Sequence, residues 1–410
     1  MIDSKFMKFG IDKEYNVLKE KTLIRNEHED TFFVGASVMA NMELFEKEIN
    51  KTHSEPLKYI TRQRIFSSNR LDDVGVYPLA TSFEISLSIF RFGDHSTQNA
   101  IKFFLDFFES VMQIERNDLL YIAPNKFDIH KSLCLLDIDM NNIITWRKDI
   151  PLRLGENKSQ GYYLKIFYPY KHGIIPIATI AFILENNEIH VDSSLFLERL
   201  DMVFQNQLTW YETLYFSDTV NLLKHYPEVI NSRDVYMWAN HLRSLIMLYS
   251  DDIGVSSKGP GHVIKKIIRE LAGTLRKEMS IEIMNFITQS TLKLMVNAKY
   301  FPSINQEKFI EDILNQINIS YIQIKKEIDK IKKTIDKKGI QEINFYKLKD
   351  EKGVKIQWIE KALGIDLSQF YKTENNNFWL RNECYSFDPQ NTIDKPKQFL
   401  IDSENKRLKG

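Results

Sequence analysis

Two segments of the sequence combine residue types that could bind a charged substrate. The first, residues 189–200, reads IHVDSSLFLERL and contains Asp192 and Arg199. We predict a strand that delivers Asp192 at its end and a helix just after it that carries Arg199. A carboxylate at that position suits a substrate ammonium, and a guanidinium suits phosphate oxygens. Taken alone, such an Asp and Arg are more often a helix cap and a surface residue.

The second segment, residues 254–269, reads GVSSKGPGHVIKKIIR, which is a glycine-rich turn that leads into a helix. Residues 255–280 contain six basic and two acidic side chains, a local surplus of four positive charges. Basic side chains on the exposed side of a helix, together with its N-terminus, form a phosphate-binding surface. A solvated helix face without a ligand explains the composition equally well.

The predicted secondary structure that positions these residues changes from strands to helices near Ser193. Before it, alternation of apolar and polar residues predicts strands at 82–89, 162–170, 174–184 and 188–191, with a helix at 98–112 and a tight turn at 185–187. After it, helical spacing predicts helices at 195–204, 238–249, 261–279 and 307–338. The meander of strands predicts an antiparallel sheet. The isoleucine stripe of 307–338 predicts packing on the preceding helices, with a coiled-coil seam as the alternative.

Composition excludes several classes of protein. The 410 residues predict two or three domains, and 55 basic against 55 acidic residues exclude a uniformly basic surface. Cys134 and Cys384 are too few for a disulfide framework or a cysteine-rich zinc site. Nine dispersed histidines and the lack of Walker, GxSxG or HExxH motifs argue against metal catalysis. Without a signal peptide or a membrane-length apolar run, we expect a cytoplasmic protein.

Taken together, four landmarks resemble the alanyl-tRNA synthetase family of class II aminoacyl-tRNA synthetases. Residues 191–200 match the family's VDTGMGLERL, and residues 256–270 match its SNEGRGYVLRRIIRR. Upstream, residues 71–75 with 89–94 match LENVG and NFSFGD, and 63–65 match QRC. The landmarks occur in the family's order. They therefore carry the resemblance jointly, although none would do so alone.

The resemblance implies an α+β fold, in which a class II antiparallel sheet with flanking helices is followed by an all-helical domain. We accordingly expect a catalytic-like domain at 1–215, a helical tRNA-recognition-like domain at 216–340 and an extension of unknown role at 341–410. ATP with Mg²⁺ is the implied cofactor, without zinc. The family's zinc-binding editing domain and its C-terminal domain have no counterpart in the sequence.

The functional residues of the family are matched at some positions of this sequence and replaced at others. Asp192 matches the residue that holds the substrate ammonium, and Arg199 matches the arginine that contacts the γ-phosphate of ATP. The family's loop after QRC is four residues longer, so the arginine that contacts the α-phosphate is either replaced by Arg64 or lost in the deletion. Phe196 replaces a family glycine and is expected to reshape or fill part of the nucleotide pocket. Along the basic helix, the residues expected to track tRNA phosphates are Lys258, His262, Lys265, Lys266 and Arg269.

These residues leave three functions open. The first is a diverged ligase that activates a small amino acid with ATP and passes it to the tRNA acceptor stem or another acyl acceptor. The second is a non-catalytic paralogue that binds tRNA, an amino acid, a protein partner or a second copy of itself as a regulator. The third is an acyl transferase that takes its acyl group from aminoacyl-tRNA. Because an ammonium-binding aspartate has little structural reason to remain, the first is favoured.

Overall fold

The computed structural model describes residues 1–24, 32–75, 79–126, 128–145, 152–154, 159–171, 173–231 and 234–367. These residues form two compact units. The first comprises residues 1–67 and 83–213, and the second comprises 68–82 and 214–367. Of the predicted extension at 341–410, residues 368–410, with Cys384, lie outside the described residues.

A mixed sheet forms the centre of the first unit. Its nine described strands are β1 (Asn16–Val17), β2 (Leu57–Phe66), β3 (Phe83–Asp94), β4 (Leu120–Ala123), β5 (Ile143–Thr145), β6 (Leu152–Leu154), β7 (Ser159–Tyr170), β8 (Gly173–Glu185) and β9 (Glu188–Phe196). The strand order is β1-β2-β3-β9-β8-β7-β4-β5, and β6 pairs with β7. The pairs β1–β2 and β4–β5 are parallel, whereas the long central strands are antiparallel. The predicted antiparallel meander is therefore the middle of the sheet.

Six helices flank this sheet in the described part of the first unit. They are α1 (Ile2–Asp12), α2 (Ser37–Ala40), α3 (Met42–Ile49), α4 (Gln98–Phe107, continued by a π-helical turn at Phe108–Met112), α5 (Ile129–Leu135) and α6 (Leu197–Phe204). Apolar side chains of α2 and α3 pack on Phe90, Phe92 and Ile183 of the sheet. This cluster covers part of the face that carries Asp192, because Phe90 stands opposite Asp192 in the β3–β9 ladder.

The four predicted strands exist as β3, β7, β8 and β9, but β3 and β9 extend further than predicted, and β1, β2, β4, β5 and β6 were not predicted. Asn186 and Asn187, with φ of 53° and 61°, form the tight turn between β8 and β9. β9 then continues to Phe196, so that Asp192 lies at its fifth position and not at its end. The polar pair Ser193–Ser194 resembles a helix start, yet both residues continue the ladder with β8. The following helix begins at Leu197.

The second unit is helical in its described part. Its helices are α7 (Ser217–Lys224), α8 (Val235–Ser250), α9 (Gly259–Thr274), α10 (Ile281–Asn297), α11 (Gln306–Lys338), α12 (Phe345–Lys352) and α13 (Ile356–Leu363). The stripe of α11 packs on α9 and α10, with Ile324, Ile328 and Ile331 all below 10% exposed. Among the described helices, none is long and apolar enough to cross a membrane.

The residues after Gly339 pack onto α9. Lys355 lies 2.7 Å from carboxylate oxygens of both Glu270 and Asp72. Trp358 of α13 stacks directly above Gly273, where an added Cβ would come within 2.2 Å of the indole ring. Glycine at position 273 is therefore what allows α13 to approach α9 this closely.

We expect Gly273→Ala to lower the free energy of unfolding by about 1 to 3 kcal/mol, because the new methyl group overlaps Trp358. Urea denaturation would measure the change. Gly254→Ala is the matched control, since nothing lies within 4 Å of the position of its Cβ. Equal stability of the two variants would contradict the close approach of α13 to α9.

Candidate functional site

Asp192 is held in the middle of the sheet with little to compensate its charge. It pairs with Phe90 of β3 and Ala181 of β8. Its Oδ1 atom is buried and has no hydrogen-bond partner among the described residues. Burial raises the pKa of Asp192 to about 7, and a hydrogen bond from the backbone N–H of Ser193 lowers it only in part. A carboxyl group in this environment would gain from a cationic ligand.

Asp192 belongs to a half-buried polar surface, which we call the polar floor. It consists of alternate residues of β7, β8 and β9 that point to the same side of the sheet: Tyr163, Lys165, Thr179, Asp192, Ser194 and Phe196. Residues of these strands that point to the other side, such as Leu164, Ile180 and Val191, are fully buried. The polar floor is therefore the more exposed side of these three strands.

Tyr163 lies in the same cross-strand row as Asp192, since both pair with Ala181. Burial and the negative charge of Asp192 raise the pKa of Tyr163 to about 12. The phenol therefore stays protonated at neutral pH and can donate a hydrogen bond.

Hydroxyl groups continue the polar floor onto β3. Ser194 lies 2.8 Å from Ser86, Ser86 lies 2.9 Å from Ser88, and Ser88 donates to Ser37 of α2 at 2.7 Å. Each of these serines can both donate and accept. The chain of hydroxyls satisfies the polar groups next to Asp192 without neutralising its charge.

Arg199 reaches the same side of the sheet from the first turn of α6. Its Nη1 donates to the carbonyl oxygen of Pro176 at 3.3 Å, and its Nη2 lies 3.6 Å from Oε1 of Glu84. The guanidinium carbon lies 4.1 Å from the centre of the Phe196 ring, which covers one of its faces. Asp192 and Arg199 are thus brought to one face of the sheet, with Phe196 between them along β9.

Arg64 is not brought to this site. It pairs with Ile85, which places it on the opposite side of the sheet from Glu84 and Ser86. There its Nε donates to Glu20. The expectation that Arg64 contributes to the nucleotide pocket is corrected by this register, because adjacent positions of a strand point to opposite faces.

Four of the five residues in and before helix α9 that were expected to contact tRNA phosphates are exposed. His262, Lys265 and Lys266 are exposed at spacings of three and four, and Lys258 is exposed at the N-cap. Arg269 is instead committed to the protein, because its Nη2 donates to the carbonyl oxygens of Lys352 and Gly353 at 2.6 and 3.1 Å. The role of Arg269 in tracking phosphates stays a prediction.

Sequence reasoning missed Glu84, Tyr163 and Lys165 as members of the site. All three lie on strands whose existence was predicted, but their common face depends on the pairing register. Lys165 could have been recognised as a candidate from the sequence, because it stands where the resembling family has an acidic residue. No group of three or more His, Cys, Asp or Glu side chains that could hold a metal ion occurs within the described ranges.

No protein-family model matches the chain. It is 24% identical to the alanine–tRNA ligase of Buchnera aphidicola over 367 aligned positions, which cover 78% of this chain and 41% of the relative. It is 21% identical to that of Onion yellows phytoplasma over 452 aligned positions, covering 97% and 51%. The chain thus spans about half or less of the length of these relatives.

Solved structures with similarity to the chain include two tRNA synthetases. The apo histidyl-tRNA synthetase of S. aureus aligns with a TM-score of 0.36 at 8% identity, covering 50% of this chain and 64% of that one. A pyrrolysyl-tRNA synthetase of Desulfitobacterium hafniense aligns with a TM-score of 0.30 at 10% identity, covering 52% and 71%.

The predicted α+β fold, in which a sheet with antiparallel central strands and flanking helices is followed by a helical unit, is confirmed. In sequence, the chain is similar to the alanine–tRNA ligases along most of its length and is a diverged alanyl-tRNA synthetase-like protein.

Proposed function

We propose that the protein is a diverged aminoacyl-tRNA synthetase-like ligase that activates a small amino acid with ATP and transfers it to RNA. In this proposal Asp192 binds the substrate ammonium, Arg199 binds phosphate oxygens and α9 holds the RNA acceptor. The observation that carries the proposal is the uncompensated carboxyl group of Asp192. Its Oδ1 is buried without a partner among the described residues, on the half-open polar floor.

An ammonium ligand accounts for this arrangement better than a structural role does. A carboxylate kept only for packing would be expected to have its oxygens paired, because an unpaired buried polar atom costs free energy. A bound ammonium would supply both the missing hydrogen bond and the missing charge. Tyr163 and Ser194, on either side, can hydrogen-bond to other polar atoms of a small ligand.

Amino-acid activation requires attack of a carboxylate oxygen on the α-phosphorus of ATP, with release of pyrophosphate. The protein's contribution to such a step is to position the reactants and to stabilise charge on the phosphate oxygens. Asp192 would fix the amino group, so that the carboxylate points along the polar floor. Arg199 would lie at the far end of that floor, on the phosphate side.

Magnesium would neutralise phosphate charge when bound with ATP. This ion is usually held by one or two carboxylates together with substrate phosphates. Glu84, 3.6 Å from Arg199, is the carboxylate placed to hold it. The described residues fit such an arrangement, because a dedicated cluster of protein ligands is not required.

The direct test is ATP–pyrophosphate exchange with each of the proteinogenic amino acids. We expect exchange with one or a few small amino acids and its loss in Asp192→Asn. Lack of exchange with every amino acid would refute ligase activity, provided that circular dichroism shows folded protein.

A second candidate is a non-catalytic paralogue that binds an amino acid, RNA or a protein partner. It is favoured by the contacts of Arg199, whose guanidinium already touches Glu84, Pro176 and Phe196. The absence of Arg64 from this face also removes the expected second cation. This candidate predicts binding of RNA or amino acid without ATP turnover, and tight saturable ATP binding would argue against it.

We expect the double variant Lys265→Ala, Lys266→Ala to weaken tRNA binding about tenfold. The slope of log affinity against log salt should fall by about 1 to 2, since each lost phosphate contact removes about one released counterion. Fluorescence anisotropy with labelled tRNA would measure both quantities. Lys332→Ala, Lys333→Ala on the exposed side of α11 is the charge-matched control. If the two double variants behave alike, α9 is not the RNA surface.

A further inference from the structure

The polar floor contains one positively charged side chain, Lys165, and nothing in the roles assigned so far uses it. Lys165 pairs with Thr179, which in turn pairs with Ser194 of β9. Residues that pair directly in an antiparallel sheet point to the same side. Lys165 and Asp192 therefore share a face, and Lys165 lies one cross-strand row nearer to Arg199.

The spacing of the sheet sets the distance between these two charged residues. They are two strands apart and two residues apart along the strand direction, which puts their Cα atoms about 12 Å from each other. Lys165 is half-buried and Asp192 is half-buried, so that both side chains border the open part of the face.

A zwitterionic amino acid fits between the two groups. It spans roughly 3.5 Å from its nitrogen to its carboxylate oxygens. One hydrogen bond of about 2.8 Å at each end extends this span to about 9 Å. The Cα atoms of Lys165 and Asp192 are about 3 Å farther apart than this span, and the flexible four-carbon side chain of lysine can cover that difference.

The reaction proposed above needs a cation at this place. The substrate carboxylate is negative before activation, and it must approach a phosphate that is also negative. Arg64, the expected cation, points to the other side of the sheet, and Arg199 lies beyond Phe196. Along the strand direction, Lys165 lies between the ammonium position at Asp192 and the phosphate position at Arg199, two strands away from β9.

We propose that the Lys165 ammonium binds the carboxylate of the amino acid whose amino group lies on Asp192, and that it thereby selects α-amino acids over simple amines. This assignment rests on the proposed function of the polar floor. In the resembling family an acidic residue stands at this position, so the charge reversal is a property of this chain.

Isothermal titration with two pairs of probes tests the assignment. The pairs are L-alanine with L-alaninol, and glycine with 2-aminoethanol, in which the alcohol keeps the ammonium and lacks the carboxylate. We expect the wild-type protein to bind the acid of at least one pair about tenfold more tightly than its alcohol, as for one charge-assisted contact. Lys165→Met should bring that ratio close to one, and Lys165→Arg should restore part of it.

The controls separate the two proposals. Lys131→Met removes an exposed lysine of α5 and should leave the ratio unchanged. Asp192→Asn should abolish binding of both members of a pair. If Asp192→Asn abolishes binding while Lys165→Met keeps the wild-type ratio, the role of Lys165 is refuted and the proposed function stands. If neither alanine nor glycine binds the wild-type protein, the assignment of Lys165 is refuted, and pyrophosphate exchange with the other amino acids decides the proposed function separately.

Discussion

Asp192→Asn should abolish amino-acid binding and, at the same time, make the protein more stable above pH 7. Loss of a buried charge partner for the ligand ammonium is expected to weaken binding at least about 100-fold. The gain in stability follows because asparagine cannot ionise, whereas the aspartate must hold a charge in a poorly solvated position. If Asp192 had a purely structural role, its replacement would instead lower the free energy of unfolding of the protein.

The raised pKa of Asp192 determines how the effect of Asp192→Asn on stability depends on pH. The pKa of Asp192 rises from an ordinary 3.8 to about 7 in the folded protein, so folding favours the protonated form. The ionised carboxylate therefore costs stability that increases as pH rises from about 4 to about 7 and is constant above that range. After a discount for the half-open site, Asp192→Asn should gain about 1 to 2 kcal/mol at pH 8 and little at pH 4.

Urea denaturation at pH 4.5, 6 and 8 measures this difference, and Asp329→Asn on the exposed side of α11 is the matched control. Binding of the amino acid should strengthen as pH rises through about 7, because the ionised carboxylate is the form that accepts an ammonium. A variant that is destabilised at every pH, with amino-acid binding intact, would show that Asp192 is a packing residue.

The sequence was sufficient to predict some of the elements but not the face on which each side chain lies. The apolar alternation of β7 and β8 and the helical spacing of α11 are local patterns, and the structure has these elements close to their predicted bounds, whereas β1, β2, β4, β5 and β6 were not predicted. The predicted end of β9 was wrong. Ser193 and Ser194 are polar because their side chains form hydrogen bonds with another strand, which the local sequence pattern does not reveal. Their hydroxyls bond to Ile89 and Ser86 of the neighbouring strand.

The site depended on pairing register, which a single sequence does not encode locally. Gln63 and Arg64 are adjacent, and only the ladder with β3 shows that the arginine points away from Asp192. Similarly, Arg269 continues the spacing of His262 and Lys266 along α9. Its Nη2 nevertheless donates to the carbonyl oxygen of Gly353, 84 residues later in the chain. Long-range contacts therefore decided which predicted site residues are available.

Phe196→Ala should increase the affinity for ATP about tenfold. In the wild-type protein the Phe196 ring covers the Arg199 guanidinium at 4.1 Å, a cation–π contact that a phosphate ligand must compete with or displace. Such a contact contributes about 1 to 2 kcal/mol when it is partly desolvated, which corresponds to about a tenfold change in affinity. Removal of the ring also opens space on the phosphate side of the polar floor, since Phe196 is the last residue of β9 and is half-buried.

Titration with ATP and Mg²⁺ would measure the effect, and Phe204→Ala, which removes an exposed ring from α6, is the matched control. Arg199→Ala combined with Phe196→Ala should eliminate the gain, because the uncovered guanidinium is its source. If the gain occurs and pyrophosphate exchange rises with it, Phe196 limits a working nucleotide site. If Phe196→Ala leaves ATP affinity unchanged while Lys165→Met still alters amino-acid selectivity, the polar floor binds an amino acid without nucleotide, as the non-catalytic candidate requires.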